Sequence, residues 1–386
     1  MKLHQKLKQT FTIKQILKDH WNTFLSLGYE LRPSIIKNVN KVIHCGDPSL
    51  GYALYSCPHC GKIKYVPFRC KSRFCNTCGA SYVSKRAKSI SSKLINCKHR
   101  HLVFTIPSEL RKFFRLDRSL LDVLFKASSQ TLFAWFHKLN KSEQFTPGFI
   151  STLHTFGRDL KWNPHIHMIL TEGASGNHTV WRSIPHIPFS MLRRRFQATL
   201  LDLFHQHLGS SFYSLKSTLF TAYKEGFYVY AKKEKHSIAK NSIDYIVRYT
   251  GKPAMAQSRI LDYDGNLVTF YYDRHEDGQR VTEKLNAIDF IKRLIVHIPD
   301  EQFKMVRYYG LYAKKHKHSS KLFLLTPLSK KKFWQTHSDW RMQILLAFGT
   351  DPLRCSCGSI LQLVDVFIPK TSPLLDYIPP PTYNLS

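Results

Sequence analysis

The chain alternates between stretches whose apolar residues recur every three or four positions and stretches where they recur every second position. Ile13, Ile16, Leu17, Trp21 and Phe24 share one face of a helical wheel while Lys14, Lys18 and Asp19 lie elsewhere, so residues 12–24 read as an amphipathic helix. Val83, Ala87, Ile90 and Leu94 repeat the pattern over 80–94, with Lys85, Arg86, Lys88 and Lys93 turned outward. The two periods then take turns. Residues 101–106 read as a strand stopped by Pro107, 118–139 as a helix, 151–156 and 165–170 as strands, 189–208 as a helix and 227–231 as a strand. This β-α-β-β-α-β order is the ferredoxin-like, RRM-like arrangement, an antiparallel sheet with helices on one face and the other face free for a site. The expected fold class is α+β, with a zinc ribbon ahead of that sheet.

Within residues 165–170 the period of two sends His165, His167 and Ile169 one way and Ile166, Met168 and Leu170 the other. Two neutral imidazoles side by side can chelate a divalent ion and leave positions open for water or a phosphate oxygen. Two polar residues on a solvated strand face would give the same pattern. Downstream, Ser242–Gly251 reads as a helix stopped by Gly251-Lys252-Pro253, which stacks Tyr245 and Tyr249 one turn apart. They are nucleophiles if a metal stabilises the charge that develops on a phosphate, and packing residues otherwise. Arg248, Lys252 and Arg259 lie close by in sequence to hold phosphates.

Composition sharpens this picture. Of 386 residues, 58 are Lys or Arg against 26 Asp or Glu, a net charge of +32 spread along most of the length. Such a field attracts polyanions, and nucleic acid is the expected partner. The chain shows neither an 18-residue apolar run nor an apolar signal-peptide core at its start, so the expectation is a cytoplasmic, nucleoid-associated protein with no membrane partner. In the cytosol the nine cysteines are expected to be reduced, and clustering then points to metal. Cys57-Pro58-His59-Cys60-Gly61 and Cys75-Asn76-Thr77-Cys78-Gly79 are two C-x-x-C-G segments, expected to complete one tetrahedral zinc site between them. Cys45 and Cys70 are either further ligands, with His44 or His59 as partners, or buried thiols. Lys62, Lys64, Arg69, Lys71 and Arg73 could bring the same element to DNA. The tract Arg307-Tyr308-Tyr309-Gly310-Leu311-Tyr312 either stacks on unpaired bases or packs in a core.

Taken in order, these motifs resemble the two-tyrosine rolling-circle transposases of the IS91 type, within the HUH endonuclease class. The likeness runs from the cysteine segment through H-L-V-F-T-I-P, H-T-F-G-R-D-L-K-W-N-P-H-I-H-M-I-L and Y-I-V-R-Y-T-G-K-P to V-R-Y-Y-G-L-Y-A, roughly residues 30–360. It implies that His165 and His167 bind Mg²⁺ or Mn²⁺, that Tyr245 and Tyr249 are the nucleophiles, and that the substrates are single-stranded DNA at transposon ends and target DNA. It also implies a 5′-phosphotyrosine intermediate and a structural zinc domain at the amino-terminal side. His154, on the neighbouring strand, is the expected third metal ligand, with Gln257 as the alternative. Two departures stand out: Phe74 replaces a histidine before Cys75, and Cys355-Ser356-Cys357-Gly358 is one residue shorter than the family's C-x-x-C-G, which argues against a second complete site. The expected domains are 1–95, zinc-binding; 96–318, catalytic; and 319–386, a carboxy-terminal extension. Competing readings are a replication initiator or relaxase of the same chemistry, and a non-catalytic zinc-ribbon DNA-binding protein. Assembly into an oligomer on DNA is compatible with either.

Overall fold

The computed structural model describes residues 11–91, 94–230, 253–274, 276–315, 321, 324–329, 332 and 339–369. The chain divides into two compact units that do not run consecutively: Met1–Tyr82, Lys252–Glu301 and His337–Ser386 form one, Val83–Gly251 and Gln302–Thr336 the other. Both are mixed α/β with antiparallel sheets.

In the first unit the amphipathic pattern of 12–24 becomes α1 (Ile13–Ser26), capped by the Thr12 hydroxyl, which accepts from the Gln15 N–H at 3.0 Å. Ile13, Ile16, Leu17, Trp21 and Phe24 are buried, as the wheel predicts. Helix α2 (Pro33–Ile43) follows and delivers Cys45 just past its end. This unit also holds two three-stranded sheets. One orders β1 (Tyr52–Ser56) between β2 (Ile63–Pro67) and β12 (Gln362–Phe367); the other runs through β8 (Ile260–Tyr263), β9 (Leu267–Asp273) and β10 (Arg280–Asn286).

In the second unit the strands are β3 (His99–Thr105), β4 (Thr146–Phe156), β5 (Trp162–Ser175), the short β6 (Arg182–Ser183) and β7 (Val229–Tyr230), joined by β11 (Val306–Gly310). The sheet order is β11-β4-β5-β3-β7, with every pairing antiparallel and β6 paired to β5. Helices α4 (Ser108–Leu116), α5 (Leu120–Leu139) and α6 (Phe189–Leu208) intervene, followed by α7 (Tyr213–Ala222). Leu102, Phe104, Leu153, Ile166, Met168 and Leu170 from the strands share one core with Leu124, Phe125 and Phe136 of α5 and Phe196, Leu200 and Phe204 of α6. Those strand residues therefore define the face covered by α5 and α6, and their alternate neighbours the opposite one.

The sequence pattern places these two paired strands well but understates their length, because β4 and β5 continue past their alternating stretches, with Thr146 still partnering Ser175 and Phe149 and Ala174 buried in the same core. The edge strand β11 lies far along the chain and pairs with β4, so the Arg307 tract packs rather than standing free. Tyr309 stacks on Phe149 with centroids 4.9 Å apart, Tyr312 is buried, and Arg307 pairs with Asp122. Gly310 ends β11 at φ +55°, and a Cβ there would meet the Pro147 carbonyl oxygen at 1.8 Å. Gly310→Ala is expected to destabilise the protein by more than about 1 kcal/mol, read as a lower midpoint in urea. An unchanged midpoint would mean that this edge pairing contributes nothing.

Candidate active site and metal centres

On the face opposite α5 and α6, strand register gathers four histidines. His165 stands directly across from His154 and His167 from Thr152, while on the other side Val103 opposes His167 and His101 opposes Ile169. Directly opposed residues of an antiparallel pair point to the same face, so His101, His154, His165 and His167 all do. One nitrogen from each of His154, His165 and His167 lies within 4.8 Å of the others. The His165 Nδ1–H donates to the Asn163 carbonyl at 2.7 Å, which turns the Nε2 lone pair inward. That Nε2 lies 3.0 Å from His167 Nε2, and His167 Nδ1 lies 3.0 Å from His101 Nε2. Two lone pairs cannot face each other at such a distance without a proton or a cation between them. A third nitrogen converging from His154 suits the cation, so the residues fit a divalent ion.

Burial sets the protonation state. It holds His167 well below the ordinary imidazole value, aided by the charges of His154, His165 and His101, and it lowers His165 likewise. Burial first, and then the charge of His165, brings His101 down to about 3. Near neutral pH these rings are neutral, which is the ligating form. His101 was not singled out by the sequence. Its alternation within H-L-V-F-T-I-P marks a face, but only the pairing of β3 with β5 brings it to His167.

Tyr245, Arg248, Tyr249 and Lys252 lie outside the described residues. Arg259 belongs to the first unit, where its Nε donates to the Tyr271 carbonyl at 2.9 Å, and Gln257 opens the same short turn.

Eight cysteines form two groups of four, and the expectation of one shared site is corrected. Cys75 and Cys78 group with Cys45 and Cys70, whereas Cys57 and Cys60 group with Cys355 and Cys357. In the first group Sγ atoms of Cys45 and Cys78, Cys70 and Cys78, and Cys45 and Cys75 are 3.6, 3.6 and 3.7 Å apart. A tetrahedron with metal–sulfur bonds of ~2.3 Å has sulfur edges of about 3.8 Å. Local backbone explains the regrouping, because the two C-x-x-C-G segments are different structures. Cys57–Gly61 is a turn between β1 and β2, closed by the Gly61 N–H donating to the Cys57 carbonyl at 2.9 Å with Gly61 at φ +70°. Cys75–Gly79 instead runs into helix α3 (Asn76–Ser91), and Gly79 is needed for clearance, since a Cβ would lie 2.7 Å from the Arg73 carbonyl oxygen. Cys45 and Cys70, left open by the sequence, both join a group; His44 and His59 join neither among the described residues.

Thiolate character differs within each group. The Cys60 backbone N–H lowers Cys57 to about 6, and the Cys70 side chain lowers Cys75 to about 5.

Comparison with known proteins agrees with this chemistry. A family model described as "Transposase zinc-binding domain" matches residues 16–106, and one described as "Putative transposase" matches residues 148–320. The transposase for insertion sequence element IS801 of Pseudomonas savastanoi pv. phaseolicola is 29% identical over 325 residues, covering 80% of this chain and 76% of that protein. A protein of Sinorhizobium fredii (strain NBRC 101917 / NGR234) named "Putative transposase y4qJ" is 26% identical over 303 residues, 71% of this chain and 73% of that one. No solved structure matches significantly. Among the described residues no helix is long and apolar enough to cross a membrane. The cysteine groups and the matched domain together support structural zinc. With a transposase zinc-binding domain and a transposase domain matched in sequence order, the chain is similar to insertion-sequence transposases of the IS91 and IS801 kind.

Proposed function

We propose that this transposase nicks and rejoins single-stranded DNA at transposon ends through tyrosine nucleophiles, in rolling-circle transposition. The observation that carries the reading is the convergence of His154, His165 and His167 on the sheet face opposite α5 and α6. The strand order supports an HUH fold: counting β3, β4, β5 and β7 as first to fourth, they lie fourth, first, third, second, as in a ferredoxin-like sheet.

In this reading His154, His165 and His167 hold Mg²⁺ or Mn²⁺, which when bound polarises the scissile phosphate and stabilises its developing charge. His101 and the Asn163 carbonyl keep the His167 and His165 rings oriented. The phenolic oxygen of Tyr245 or Tyr249 attacks phosphorus, the P–O3′ bond breaks, and the departing 3′-oxygen takes up a proton. The 5′ end is left as a phosphotyrosine, the free 3′-hydroxyl can prime synthesis, and the second tyrosine permits a further exchange before release. Arg248, Lys252 and Arg259 neutralise phosphates along the strand, and zinc on Cys45, Cys70, Cys75 and Cys78 stabilises the amino-terminal element.

Labelled single-stranded oligonucleotides from the element's own ends, incubated with Mg²⁺ or Mn²⁺, test this. A covalent protein–DNA band on a denaturing gel is expected, and it should be absent from the Tyr245→Phe/Tyr249→Phe double variant. Tight binding of the oligonucleotides with no adduct under either metal would instead make the chain a DNA-binding protein.

A further inference from the structure

The group made by Cys57, Cys60, Cys355 and Cys357 joins residues almost 300 positions apart and lies partly beyond the matched zinc-binding domain, which ends at residue 106. We infer that it is a second structural zinc site, a tetrathiolate clip that fastens the carboxy-terminal strand β12 to the amino-terminal hairpin.

Geometry carries the argument. Sγ of Cys57 is 3.5 Å from that of Cys357, and Sγ of Cys60 is 3.7 Å from that of Cys355. These are close to the edges of a tetrahedral zinc–thiolate site and far beyond the ~2.05 Å of a disulfide. The shorter spacing of Cys355-Ser356-Cys357-Gly358 does not prevent it. Its chain turns as Cys57–Gly61 does, with the Gly358 N–H donating to the Cys355 carbonyl at 3.0 Å, the Cys355 N–H to the Ser359 carbonyl at 2.8 Å, and Gly358 at φ +91°. Two turns, each closed by a left-handed glycine, thus present paired thiols to one point. Polar contacts dock the same segments: the Lys64 ammonium donates to the Pro352 carbonyl at 2.9 Å and Lys62 to the Ser356 hydroxyl at 3.2 Å.

Energetics call for the metal. All six residues of β12 are exposed, and among the described residues the buried cluster at this sheet is Cys57, Cys355 and Leu361, with Tyr55 packed against it. A three-stranded sheet needs a buried apolar face or an equivalent staple, and no residue of β1, β2 or β12 is buried, although Tyr52 packs on Tyr65 and Phe367. Zinc held by four thiolates is the staple that small sheets of this kind use. Cys60 and Cys357 are exposed, whereas Cys57 and Cys355 are buried, so the site sits at the surface with two sulfurs accessible to reagents.

The test uses the full-length protein as purified. Elemental analysis is expected to give two zinc ions per chain, and N-ethylmaleimide mapped by mass spectrometry should leave Cys60 and Cys357 largely unmodified until zinc is removed by a chelator. Cys355→Ser/Cys357→Ser should lower the content to one zinc and raise deuterium uptake over Gln362–Phe367. A single zinc in the wild type, or Cys60 and Cys357 reacting at the rate of free surface thiols in the untreated protein, would overturn the site. Since alkylation needs no variant, a double variant that failed to fold would leave that decision intact.

Discussion

His165→Ala and His167→Ala are each expected to lower metal-dependent cleavage of a single-stranded transposon end by about 10³-fold. A divalent ion that neutralises charge developing on a phosphate contributes several kcal/mol, and about 4 kcal/mol corresponds to three decades of rate. Either substitution removes one of three converging nitrogens, and each of these two rings is fixed by a second bond, His165 to the Asn163 carbonyl and His167 to His101. His154 stacks on Phe156 and faces His167 with ring centroids 4.5 Å apart. Its removal should weaken Mn²⁺ binding, measured by calorimetry, in step with the loss of cleavage. Binding to the same oligonucleotide without divalent ion should change little, because phosphate contacts from a chain of net charge +32 dominate that affinity. Cleavage within tenfold of wild type in both single variants would remove the metal from the mechanism.

Cys75→Ser/Cys78→Ser is expected to unfold the segment around α2 and the start of α3. Structural zinc sites in small domains supply about 10–16 kcal/mol of binding free energy near neutral pH, more than the whole stability of most domains. Cys45, Cys75 and Cys78 are buried, so serines would leave hydroxyls in place of metal-bound sulfur with no apolar packing gained. Limited proteolysis should show new cleavage between residues 45 and 80, together with the loss of one zinc and of much of the affinity for DNA. Retention of the wild-type zinc content would show that these two sulfurs do not bind it.

Local patterning by itself determined a good deal. The 3.6-residue period of Ile13, Ile16, Leu17, Trp21 and Phe24 fixed α1 and its buried face, because a helix has only one stripe to bury. The alternation of 165–170 settled that His165 and His167 share a face opposite the core residues Ile166, Met168 and Leu170, since a strand's period of two admits no other outcome. The net charge and the cysteine spacing pointed to a polyanionic partner and to metal for equally local reasons.

What the sequence left open depended on partners far apart in the chain. The four-histidine cluster needed the β3–β5 and β4–β5 registers, and a slip of one residue would have turned His101 and His154 to the helix side. β11 required an edge strand more than 150 positions earlier to pair with. The cysteines divided least legibly of all, because two segments of identical spacing fold differently: Cys57–Gly61 turns back between strands, while Cys75–Gly79 enters a helix. Spacing states how many thiols can face one point; which four do so is decided only when the chain's distant segments are packed, since a tetrahedral site is satisfied in three dimensions and is indifferent to sequence order.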